Sequence, residues 1–231
     1  MNIRLLPHLS ALLAAMLLPV AGRAAPAPAL ATCAACHALE KPADSSLERL
    51  WTRKAPDLHY AGVKFRQEWL VGWLQKPTVL RPAGVMYRNV VKPGAGGTTD
   101  TIDTSQVPVH PALGPAEAKA AAEALMALGT DLNLVEKGAF RNEPPNAMMA
   151  ALLFNKLRGC SSCHAGKPGE GGLSGPELYS AGARLQPDFV VAYIRDPQKF
   201  DPHVWMPKLG LIDADVQKLT SYLMTLKGAA P

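Results

Sequence analysis

Apolar side chains recur at helical spacing in five stretches of the chain, and runs rich in Gly, Pro and Thr separate them. In Gln67 to Lys76 the residues Trp69, Leu70, Trp73 and Leu74 fall on one face, and Pro77 ends the helix they predict. Pro115 opens an alanine-rich helix to Leu128, stopped by Gly129. Ala147 to Leu157 is amphipathic through Leu152, Leu153, Phe154 and Leu157. Pro187 to Asp196 carries Phe189, Val190, Tyr193 and Ile194, and a last helix spans Asp213 to Leu226. Tyr87 to Pro111 shows no period and is expected to be a long loop. Helices without a strand pattern predict an all-α fold.

The pattern repeats. Shifting the chain by 120 positions lays Pro56 on Pro176, Leu58 on Leu178, Gly62 on Gly182, Trp69 on Phe189, Trp73 on Tyr193, Pro77 on Pro197, Pro82 on Pro202 and Met86 on Met206. A shift of 98 lays Leu125, Met126 and Leu128 on Leu223, Met224 and Leu226. The two shifts differ by 22 positions, an insertion that falls in the long loop, and together they describe a tandem duplication. The chain of 231 residues is long enough for two units of about 100 residues each. The divisions expected are 26–135 for the first, 136–145 as linker around Glu143-Pro144-Pro145, and 146–231 for the second.

Residues 1–25 read as a secretory signal: Arg4 supplies the positive start, Ala11 to Ala21 the apolar stretch, and Gly22-Arg23-Ala24-Ala25 the small-residue exit. Export to the periplasm is the expectation, with membrane contact only if that segment is kept. The formal charge of +5 drops to about +3 without Arg4 and Arg23, and no basic run interleaves with aromatics, so nucleic acid is not an expected partner.

The chemistry lies in Cys33-Ala34-Ala35-Cys36-His37 and Cys160-Ser161-Ser162-Cys163-His164, which use all four cysteines. This is the c-type haem attachment pattern: two thiols add across two vinyl groups, and the histidine binds the iron. A redox disulfide or a zinc site asks for no histidine at the next position, and no βαβ context is present. Two covalently bound haem c groups are therefore expected, in an oxidising compartment.

With this order of landmarks the chain resembles tandem class I (mitochondrial-type) cytochromes c over nearly all of its length after residue 25. The resemblance implies two tandem cytochrome c-like haem domains, with His37 and His164 as proximal ligands and Met86 and Met206 as distal ones. It implies that the carbonyls of Pro56 and Pro176 accept a hydrogen bond from the ligand histidines, which fixes ring orientation. There are departures. Ala55 stands where the family has glycine, and Tyr87 rather than proline follows Met86, leaving His59 and His110 as replacements there. The first unit lacks the N-terminal helix that crosses the C-terminal one. Leu125 and Leu128 must then be covered by another segment or mark an exposed interface.

The function this implies is electron transfer, as a periplasmic dihaem carrier or the cytochrome subunit of a periplasmic oxidoreductase. The partner would be a dehydrogenase, an oxidase or another cytochrome. The rival is a dihaem enzyme. A peroxidase needs an open iron position, and the sulfur-compound-oxidising type uses a cysteine ligand, for which no cysteine is spare.

Overall fold

The computed structural model describes residues 27–80, 85–97, 99–142 and 146–228, with only the backbone of Val85 and Met86. The signal segment and Glu143-Pro144-Pro145 lie outside the described residues. In chain order, a 3-10 turn at Pro28–Leu30 leads to α1 (Leu47–Thr52), α2 (Ala61–Lys64), α3 (Gln67–Gln75) and α4 (Val85–Arg88). Strands β1 (Val91–Pro93) and β2 (Asp100–Ile102) follow, then α5 (Pro115–Met126) and α6 (Ala147–Leu152). The second half continues through β3 (Ala165–Lys167), β4 (Glu170–Gly171), α7 (Ala181–Arg184), α8 (Pro187–Arg195) and α9 (Asp213–Thr225).

The expected fold class, all-α with two tandem cytochrome c-like haem domains, is corrected. The described structure is only 44 % helical, strands are present, and the backbone alone does not identify a haem domain. β1 and β2 form an antiparallel ribbon inside the stretch expected to be loop, with Val91 opposite Ile102 and Pro93 opposite Asp100. Gly96 and Gly97 turn it with φ of +82° and +67°, a region other residues avoid. β3 and β4 form a second ribbon. Strands of two or three residues are too short to show an alternating pattern, and their turn glycines read as loop. The amphipathic run after α6 also departs from α-helix. Leu153–Leu157 is a π-turn, closed by the Arg158 N–H on the Leu153 carbonyl at 2.9 Å. Of its expected apolar set, Leu153 and Phe154 are buried, while Leu152 and Leu157 are exposed.

Packing follows the repeat. α2 and α3 lie on α5, and α6, α7 and α8 lie on α9. Leu70 and Leu74 of α3 are buried in one core cluster with Ala118, Ala121, Ala122 and Leu125 of α5. Gly62 and Gly182 each let a backbone approach. The Gly62 N–H donates to the Leu128 carbonyl at 3.0 Å, and the Gly182 N–H to that of Leu226 at 2.9 Å. The cover of α5 is the turn at Pro28–Leu30, whose Leu30 is 1 % exposed. Leu125 is therefore buried, which corrects the expectation that it could present an open interface.

The halves meet at equivalent residues. Phe65 and Leu185 form an antiparallel bridge, flanked by the Arg66 N–H on the Arg184 carbonyl and the Gln186 N–H on the Lys64 carbonyl, both 2.9 Å. Each bond is the other displaced by 120 positions, so the joint has local two-fold symmetry. Side chains reinforce it. Gln186 Nε2 donates to the carbonyls of Gly62 and Phe65 at 2.7 Å, and Arg66 Nε to that of Leu185 at 2.9 Å. Beside it Tyr60, Phe189, Tyr193 and Phe200 cluster, and the Arg53–Asp201 ion pair crosses at 2.9 Å. Residues 138–141, within the expected linker, are tied to the second half. Asp188 accepts from the N–H groups of Gly138 and Phe140, and Gln217 bonds Arg141 N–H and the Ala139 carbonyl.

Candidate functional site

Both cysteine motifs fold as the same tight turn. Cys33–Ala35 and Cys160–Ser162 are 3-10 turns. The first carbonyl of each accepts twice: Cys33 from the N–H of Cys36 and of His37 at 3.1 and 2.9 Å, Cys160 from Cys163 and His164 at 3.2 and 3.0 Å. This winding brings both thiols and the histidine to one short turn. Gly159, with φ of +65°, reverses the chain between the π-turn and Cys160. All four thiols are free. Cys33 and Cys160 are half-buried against the core, and Cys36 and Cys163 are exposed. Burial pushes the Cys160 thiol above its ordinary value.

Each histidine is anchored by a proline carbonyl. His37 Nδ1 lies 2.7 Å from the Pro56 oxygen, and His164 Nδ1 lies 2.8 Å from that of Pro176. A carbonyl only accepts, so Nδ1 carries the proton in both rings and Nε2 carries the lone pair. Desolvation lowers the His37 pKa against the Pro56 hydrogen bond, and nearby His110 lowers it further against Asp57. The spacing from histidine to proline differs between halves. Nineteen residues separate His37 from Pro56, with α1 between them, whereas twelve residues separate His164 from Pro176, with the β3–β4 ribbon between them. Gly175 is needed at the second site, because a Cβ there would stand 2.7 Å from His164 Cε1 and Nδ1. Its counterpart Ala55 shows that the first site makes room for a methyl group.

The expected distal residues are less evenly placed. Met206 is half-buried in an irregular segment after the 3-10 turn at Pro197–Lys199, and its carbonyl accepts from Gln198 Nε2 at 2.9 Å. Met86 falls in α4, and its side chain lies outside the described residues. His59 is 5 % exposed, packs its ring edge on Tyr60 with centroids 4.9 Å apart, and leaves Nδ1 without a hydrogen-bond partner. His110, named from sequence only as a replacement, stands with its ring centroid 6.4 Å from that of His37. Its signal in sequence was slight: one histidine bracketed by Pro108 and Pro111, ahead of the α5 proline.

The donor set suits a c-type haem: paired free thiols at the attachment spacing, each beside an imidazole already held in the ligating tautomer. No family model, no curated protein and no solved structure matches the chain.

Proposed function

We propose that the protein is an exported dihaem c-type electron-transfer protein, acting as a soluble carrier or as the cytochrome subunit of an oxidoreductase. The observation that carries this reading is the twofold occurrence of one arrangement. Two free thiols on a 3-10 turn are followed by a histidine whose Nδ1–H is taken by a proline carbonyl. A covalently held haem supplies an iron that exchanges one electron with a partner, with its potential set by axial ligands and surroundings.

The chain's own part is attachment and orientation. Cys33 and Cys36, and likewise Cys160 and Cys163, would each hold one group through thioether bonds. His37 and His164 would bind from one side through Nε2, and the Pro56 and Pro176 carbonyls keep each ring basic and fixed in rotation. Met206 would be the second protein ligand at the site of His164. The partner would be a redox protein, and the exposure of Cys36 and Cys163 supports its approach to each attachment turn from solvent.

Mass spectrometry of the exported protein tests this. Two haem additions per chain are expected. A single addition, or a disulfide between Cys33 and Cys36, overturns the reading.

A further inference from the structure

Resting on the dihaem reading, we infer that His110 is the distal ligand of the first haem, so that its iron is held between two histidines. An imidazole nitrogen lies about 1 Å from its ring centroid and about 2 Å from a bound metal, so two axial imidazoles put their centroids about 6 Å apart. The His37 and His110 centroids are 6.4 Å apart, with the rings inclined at 48°. Both rings have the tautomer this needs. His37 Nδ1 is held by the Pro56 carbonyl, and His110 Nδ1 lies 3.0 Å from the Pro111 carbonyl, leaving the Nε2 lone pairs for a metal.

The segment around His110 is built to hold it. Pro108 and Pro111 fix two backbone angles, and Pro111 restricts His110 itself to extended conformations. Val109 is 94 % exposed while His110 is half-buried, so the chain turns the histidine inward at the expense of its apolar neighbour. Trp73 backs the ring at 4.6 Å between centroids and is itself pinned by its Nε1–H on the Thr78 carbonyl at 3.0 Å. Three residues on, the Leu113 N–H donates to the Leu74 carbonyl at 2.9 Å, fastening the segment to the end of α3. His59, the other histidine of this half, packs on Tyr60 and lines a small cavity with Asp57, Phe200 and Asp201.

The consequence is asymmetry between repeats. Methionine opposite histidine raises a haem potential, so a second histidine at the first site leaves it the lower-potential member of the pair. Electrons would enter at the first site and leave from the second.

The test uses the exported holoprotein, after mass spectrometry has counted its haems. In the oxidised state the methionine–iron band at about 695 nm should have the amplitude of one haem per chain, not two. His110→Ala should convert half of the low-spin signal in electron paramagnetic resonance to high spin, with added imidazole restoring it. His110→Met should double the band, and Met86→Ala should leave every spectrum unchanged. A band of two-haem amplitude that Met86→Ala halves, or a His110→Ala spectrum like the wild type, overturns the assignment while leaving the dihaem reading intact. Fewer than two haems by mass overturns both.

Discussion

Two alanine substitutions should shift stability in opposite directions, because one glycine sits under a backbone and the other faces solvent. A Cβ at Gly62 would stand 2.2 Å from the Met126 carbonyl oxygen and 2.7 Å from that of Leu128. Backbone atoms at the end of α5 cannot rotate away as a side chain would, so α2 must retreat by about 1 Å to restore ordinary contact. Such overpacking costs about 1–3 kcal/mol. The same retreat lengthens the Gly62 N–H bond to the Leu128 carbonyl, worth about 1 kcal/mol. Alanine returns about 1 kcal/mol by restricting the unfolded chain, leaving Gly62→Ala destabilising by about 1–3 kcal/mol. Gly72 lies inside α3, and a Cβ there meets no atom within 4 Å. Gly72→Ala should therefore stabilise by up to about 1 kcal/mol. Urea denaturation of the full chain, followed by far-ultraviolet circular dichroism, reads both. Gly182→Ala should repeat the Gly62 result, since its Cβ would lie 2.3 Å from the Met224 carbonyl oxygen. Equal shifts for Gly62→Ala and Gly72→Ala, or a larger loss for Gly72→Ala, would refute the reasoning.

Leu30→Ala should lower stability by about 2–5 kcal/mol, because the side chain is 1 % exposed and covers α5; a loss under 1 kcal/mol in the same titration would mean that α5 has other cover. Gln186→Ala removes both side-chain bonds to the Gly62 and Phe65 carbonyls and should cost about 1–3 kcal/mol, read as a lower urea midpoint. Lys64 lies over the rings of Tyr60, Phe65 and Phe189, and desolvation, with Arg184 and Arg53 adding, pushes its pKa down to about 8. Between that value and the unfolded 10.5 the unfolded chain binds the extra proton, so this group makes stability rise with pH from about 8 upward. Burial raises Tyr193 to about 12, with Asp201 adding, so above pH 10, the ordinary tyrosine value, the unfolded chain loses its proton first and stability falls. Lys64→Met should abolish the rise and keep the fall, measured as urea midpoints across that range.

The longer helices were legible because their apolar stripes are long enough to show a period, whereas α1, α2, α4 and α7, of four to six residues each, are too short to show one. α3 and α8 end at Gln75 and Arg195, each two positions before the proline, Pro77 or Pro197, that stops it. The ribbons were not, since three-residue strands carry no alternation and Gly94 to Gly97 reads equally as loop or hairpin turn. The π-turn at Leu153–Leu157 was hidden for another reason: adding one residue to a helical turn rotates the stripe, which exposes Leu157 without altering the sequence pattern that suggested it was buried. At the site, the cysteines and histidines were readable from spacing alone. The placement of His110 was not, because it depends on where a long segment returns to α3, and that return is set by one backbone bond at Leu113 and the face of Trp73.

The joint between halves gives the two sites a fixed relation. From Pro56, whose carbonyl holds His37, the chain needs only the short α2 to reach Lys64, Phe65 and Arg66. From Pro176, whose carbonyl holds His164, α7 leads over the same distance to Arg184, Leu185 and Gln186. Those two triplets make the bridge. Each histidine is thus connected to the joint through one carbonyl and one helical turn, and that turn is itself locked by the Gly62 or Gly182 contact with the end of α5 or α9. A displacement at the joint would have to move the Pro56 or Pro176 carbonyl, the hydrogen bond that orients the ring. The residues that would hold two haems are therefore tied to one joint by backbone hydrogen bonds, which the Gln186 and Arg66 side chains reinforce. An electron passing between the two haems would need no domain motion.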